Sequence, residues 1–212
     1  MSIKIAVGLG NTGARYTRTR HNAGLIALET LAELTSAPKL SFNKYAHAYL
    51  SKGVVAGKEL ILVFLEGYMN ESGIGLAKVL KYLKADISEV VVLYDDITLD
   101  VGRMKVSLGG SAGGHNGVSD IMNRCGNSFA RFRIGIGAKI DKRMDLADHV
   151  LGLLSDDDIK SIKALPIKEC FSLMLTKGVD ATQNVMNRKP QKPKDSTKPQ
   201  SEATSSSAKE EA

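Results

Sequence analysis

Four short segments of this 212-residue chain carry side chains fit for acid–base and hydrogen-bonding chemistry. His21 directly precedes an amphipathic stretch that starts at Ala23. At a helix N-terminus the unpaired N–H groups and the macrodipole disfavour an imidazolium, so a ring there is expected to stay neutral near pH 7, the state a general base needs. The run VVVLYDD ends in Asp95 and Asp96, and the ends of buried strands are where α/β sheets assemble their sites. Side chains alternate along a strand, so only one of the two aspartates should face a given pocket. A carboxylate accepting a hydrogen bond from one nitrogen of His21 would fix the tautomer and stabilise the charge formed when the other nitrogen takes a proton. Plainer roles fit the same residues: a loop histidine, and an acidic turn before residues 97–99.

Two asparagines stand at comparable junctions. Asn70 follows Tyr68 and Met69, and Asn116 comes at the end of GGSAGGHNG, residues 109–117. Each can cap a helix. The glycines of the second loop also let a ligand or another backbone come close. A side-chain amide offers donors and an acceptor, and so can grip a peptide main chain whatever its side chains. His21, Asp95 and His115 are potential zinc ligands, but no HExxH spacing supports a metal, and neither metal nor cofactor is expected. Residues 8–13 (GLGNTG) match GxGxxG, yet the polar stretch 14–22 delays any helix to Ala23 and no acidic residue ends a second strand about 20 positions on. A dinucleotide site is therefore disfavoured. Arg15, Arg18, Arg20, Lys105, Arg131 and Arg133 are candidate phosphate contacts, or simply solvated charges.

The elements that must hold these residues alternate between strand and helix. Residues 3–8, 60–65 and 89–94 read as buried strands, whereas 103–108 and 130–135 alternate, with Phe132 and Ile134 on one face and Arg131 and Arg133 on the other. Residues 46–52 form a weaker strand before a Gly57-Lys58 turn signal. Apolar stripes mark helices at 23–34 (Ala27, Leu31, Leu34), 73–83 (Leu76, Leu80, Leu83) and around Val118, Ile121, Met122 and Cys125. Ser155 with three following aspartates caps a C-terminal helix that Pro166 separates from the next. The order implies an α/β fold: one domain, residues 1–186, with a twisted mixed β-sheet flanked by helices. Residues 187–212 hold three of the five prolines and no apolar residue but alanine, which predicts a disordered polar tail.

Composition excludes several classes. The net charge of +6 and 43% hydrophobic content suit one globular core rather than a disordered chain. No apolar run approaches the roughly 18 residues that span a bilayer, so no membrane partner is expected. The N-terminal residues lack the pattern of a signal peptide, and a cytoplasmic location is expected. Cys125 and Cys170 have no paired or CxxC spacing and read as small buried residues.

Taken in order, VGLGNTGARYTRTRHNAG, EGYMNESG, VVLYDD, GGSAGGHNG and FARFRIGIG resemble the bacterial type of peptidyl-tRNA hydrolase from about residue 3 to residue 153. The resemblance implies a monomeric α/β enzyme that hydrolyses the ester between a peptide and the 3′ ribose of tRNA, recycling tRNA from abortive translation. It implies His21 as base and Asp95, not Asp96, as its partner. It places Asn70 and Asn116, with the neighbouring Met69, on the substrate, Tyr16 and Tyr68 along its path, and Asn11 where blocked and free aminoacyl groups are told apart. The chain departs from the family at Thr12 in place of proline, at Tyr94-Asp95-Asp96 in place of His-Asp-Glu, and at Tyr68 in place of phenylalanine. Ser107 stands where the family has a lysine that, with the arginine matching Arg133, is associated with the tRNA 5′ phosphate. Lys105, two residues earlier on the same strand face, is the substitute expected there.

Overall fold

The continuous apolar runs do form the centre of a sheet. In the computed structural model, which describes residues 2–188 apart from 140 and 142, the strands and helices follow in the order β1 (Ile5–Gly8), α1 (Ala23–Leu34), β2 (Ser41–Asn43), β3 (Ala48–Val55), β4 (Lys58–Leu65), α2 (Ser72–Leu83), β5 (Val90–Asp96), β6 (Met104–Leu108), α3 (Asn116–Cys125), β7 (Ala130–Gly135), α4 (Leu146–Leu151), α5 (Asp156–Lys163), α6 (Ile167–Lys177) and α7 (Val179–Met186). The sheet order is β2-β3-β4-β1-β5-β7-β6. Its middle four strands are parallel, and the β6 and β2-β3 margins are antiparallel. Two apolar clusters, one on each face, make three layers: α1, α5 and α6 cover one side, and α2 and α3 the other. The fold is the expected mixed sheet flanked by helices.

Several local expectations shift. The β3–β4 hairpin turns on Ala56 and Gly57, both with left-handed φ, one position before the expected pair. Leu34 is exposed, because the α1 stripe meets its neighbours only as far as Ala32. On the polar face of β7, Arg131 is buried beneath the glycine-rich loop and meets its carbonyls, whereas Arg133 is half-buried. Cys170 is buried, and that burial pushes its thiol up to about 12; Cys125 is only half-buried. Ser155 accepts from Asp158 N–H to cap α5, and Pro166 stands at the start of α6, as expected. The tail assigned to residues 187–212 lies outside the described residues from 189 onward. Asn187, its first residue, holds the edge of β6: its Nδ2 donates to Val106 O at 2.7 Å and its Oδ1 accepts from Val106 N at 2.8 Å.

One close approach sets the site. A Cβ on Gly24 would lie 2.2 Å from Leu93 O and 2.8 Å from Leu9 O. Glycine thus lets the first turn of α1 rest directly on the backbone of β5, two residues before Asp95. Leu25 N donates to Leu9 O and Leu9 N to Leu93 O, which fastens the loop after β1 to the same point.

Candidate active site

His21 lies in a 3₁₀ turn, Arg20–Asn22, that leads into α1. This turn carries the imidazole over the C-terminal end of β5, where Nδ1 meets Asp95 Oδ1 at 2.8 Å. Both groups are buried. The same carboxylate oxygen receives His115 Nε2 at 3.0 Å. His115 is the N-cap of α3, and its Nδ1 accepts from Val118 N–H at 3.2 Å. A ring nitrogen that accepts carries no proton, so the His115 proton sits on Nε2 and points at Asp95. His21 likewise donates from Nδ1, which leaves the lone pair on its Nε2. The two rings stand 4.9 Å apart at 48°.

Burial by itself would raise the Asp95 carboxyl, but the neighbouring His115 and then His21, each directing a ring N–H at it, hold it well below the usual carboxylate range. Asp95 is therefore a fixed anion that orients His21. The three ligand atoms lie close enough together to hold a metal ion. Yet in this tautomer His115 Nε2 and His21 Nδ1 direct protons, not lone pairs, at the shared oxygen, which is a hydrogen-bonded arrangement rather than a ligand set.

A cleft of about 760 Å³ opens over this triad and is lined by Asn11, Tyr16, Tyr68, Met69, Asn70 and Asn116, among others. Asn70 and Asn116 are exposed there. Asn11 is buried: its Oδ1 accepts from Met69 N–H at 2.7 Å, so its Nδ2 is the atom left for a ligand. Asn22 fixes that loop by accepting from Asn11 N–H at 2.9 Å and donating to Asn11 O at 3.1 Å. Asp95 and Asp96 both line the cleft, contrary to the expectation from alternation, because the strand ends there. Only Asp95 meets the histidines. Asp96 accepts from Thr98 and pairs with Arg133 at 2.6 Å.

The loop after β1 does not lead straight into a helix; two 3₁₀ turns intervene before Ala23, so the GxGxxG match lacks the helix N-terminus that a pyrophosphate needs. With this geometry the comparisons agree. The sequence profile described as "Peptidyl-tRNA hydrolase" matches residues 5–195. The chain belongs to the peptidyl-tRNA hydrolase family. It is 39% identical over 187 residues to a peptidyl-tRNA hydrolase of Lachnospira eligens, covering 86% of this chain and 98% of the relative. It is 37% identical to one from Clostridium acetobutylicum, covering 87% and 96%. The crystal structure of peptidyl-tRNA hydrolase from Acinetobacter baumannii superposes with a TM-score of 0.79 at 30% identity, covering 87% of this chain and 94% of that one.

In this member of the peptidyl-tRNA hydrolase family the basic residues have divided fates. Lys105 lies directly opposite Arg133 in the β6–β7 register and is exposed. Arg15 stacks on Tyr16 at the cleft, and Arg18 pairs with Asp156. Arg131 is buried, with its guanidinium donating to the carbonyls of Gly110 and Ser111. Sequence reasoning missed the hydrogen bond of His115 to Asp95 and the clasp of Asn22 on Asn11. Each lies next to a residue it had chosen, but only the fold shows which way the side chains point.

Proposed function

We propose that this chain hydrolyses the ester joining a peptide, or an N-blocked aminoacyl group, to the 3′ ribose of tRNA, with His21 as general base. Membership of the family supports the reaction. The single observation that carries the mechanism is the shared Asp95 oxygen, which accepts from both histidines and leaves His21 Nε2 with its lone pair at the cleft. Nε2 takes a proton from water as the water oxygen adds to the ester carbonyl carbon, and Asp95 stabilises the imidazolium. The Asn116 amide donates to the developing oxyanion, and Asn70 holds the peptide backbone. Collapse breaks the bond to the ribose oxygen, which takes the proton back from His21. The products are tRNA with its hydroxyl restored and a free peptide carboxylic acid, which gives its proton to solvent.

In the same reading Tyr16, Tyr68 and Met69 flank the acylated 3′ end, Asn11 discriminates blocked from free aminoacyl groups, and Lys105 with Arg133 meets a tRNA phosphate. The catalytic unit is residues 1–186, acting as a monomer in the cytoplasm and without a cofactor. Release of N-acetyl-aminoacyl groups from tRNA is the direct test, and it is expected to persist in chelator. No release by the wild-type chain, or unchanged turnover in His21→Ala, would sink the proposal. A chain ending at Arg188 is expected to keep its turnover.

A further inference from the structure

The least explained group outside the histidine pair is a buried cation. Arg131 in β7 is 1% exposed, and its described hydrogen bonds include no carboxylate. Taking a guanidinium out of water is costly, and an apolar side chain of similar volume commonly packs as well or better. Its contacts reveal a different use. Nη1 donates to Ser111 O at 2.6 Å, and Nη2 donates to Gly110 O at 2.9 Å and to Asn127 Oδ1. The planar fork thus spans two successive carbonyls of the glycine-rich loop, which a lysine ammonium cannot reproduce. Asn127 adds a second pin, its Nδ2 donating to Gly110 O at 3.0 Å. The guanidinium rests over the Phe129 ring at 4.6 Å. It also neighbours Tyr94, whose ring packs edge-on against His115 at 5.0 Å.

The far end of the loop is held by His115, through Asp95 and the cap of α3. Between these anchors Gly113 and Gly114 have left-handed φ of 59° and 82°, with nothing within 4 Å of where a Cβ would stand. The loop is therefore fixed at its stem, through Ala112, whose carbonyl accepts from His115 N–H, and at its last residue, and open at Gly113 and Gly114. We propose that Arg131 is a positioning residue for the hydrolysis: its grip on the stem sets where His115 meets Asp95 and where Asn116 meets the substrate. This rests on the catalytic reading of Asp95 and His21 given above.

The test compares Arg131→Met, Arg131→Lys and Asn127→Ala with the wild type. It measures kcat and KM on N-acetyl-aminoacyl-tRNA, affinity for deacylated tRNA across a salt series, and amide hydrogen exchange over residues 109–115. For Arg131→Met, kcat is expected to fall on the order of 10²-fold, the usual consequence of misplacing a catalytic group by about 1 Å. Asn127→Ala should fall less, and Arg131→Lys should recover part of the loss. Deacylated-tRNA affinity and its salt slope should stay at wild-type values. A weakened affinity with a slope reduced by about one would make Arg131 a phosphate contact and overturn the assignment. So would a folded Arg131→Met variant with wild-type kcat. Should Arg131→Met not fold, Asn127→Ala decides, and unchanged kcat overturns the proposal. Should the wild type release no acyl group, the catalytic reading falls. The loop assignment is then judged on exchange, expected to be faster in the variants and overturned by wild-type rates.

Discussion

At the scale of single residues, the site depends on one carboxylate oxygen serving two imidazoles. Asp95→Asn keeps the shape but replaces a fixed anion with an amide that can present a donor to His21, favouring the wrong tautomer. Turnover on N-acetyl-aminoacyl-tRNA is expected to fall by about 10²–10⁴-fold, as for other losses of general-base function. The same anion shapes acid stability. Burial works against Asp95 and Asp96, but His115 and His21 at the first, and Thr98 and then Arg133 at the second, hold both below the ordinary carboxylate range. Around pH 4 the unfolded chain therefore binds more protons than the folded one. The stability these groups contribute is fully present above the unfolded value of about 3.9 and is lost as pH falls through their folded values. Urea midpoints measured from pH 6 down to pH 3 should decline, and Asp95→Asn should flatten that decline.

At the scale of elements, the decisive contact is α1 on β5. His21 reaches Asp95 because Gly24 has no side chain to hold the helix away from Leu93 O. Gly24→Ala forces α1 outward, with a cost of about 1–3 kcal/mol or more for an overpacked site. Activity should fall further than stability alone accounts for, since His21 moves with the helix. A Gly24→Ala chain with wild-type turnover and midpoint would show that the approach is not needed. The Asn22 clasp works on the neighbouring loop. Asn22→Ala strands a buried N–H and C=O of Asn11, at roughly 1–3 kcal/mol, and chemical denaturation would measure it.

At the scale of the whole molecule, the parallel strands β4, β1, β5 and β7 end on one side, and the loops that follow them build a cleft of about 760 Å³, within the range of ligand sites. Charge is distributed to match. Lys105 is exposed on edge strand β6, while Arg133 is paired with Asp96. Lys105→Ala is accordingly expected to weaken tRNA binding and lower the salt slope by about 0.7–0.9, leaving kcat unchanged at saturating substrate. A slope equal to that of the wild type would remove Lys105 from the phosphate contacts.

The sequence by itself determined which residues had the chemistry and which elements would carry them. His21 before a helix, Asp95 at the end of an apolar strand, and Asn70 and Asn116 at strand–helix junctions were all legible, because periodicity and capping are local properties. Local pattern could not say that His115 turns its Nε2 to Asp95, nor that Asn22 grips Asn11. It also left Arg131 as either a phosphate contact or a solvated charge, since alternation along β7 puts it on the same face as Arg133 without showing that a loop from twenty residues earlier folds over it. Those facts rest on contacts between segments far apart in the chain. Their geometry is set by how closely helices and loops can approach the sheet, and only the packed tertiary structure decides that.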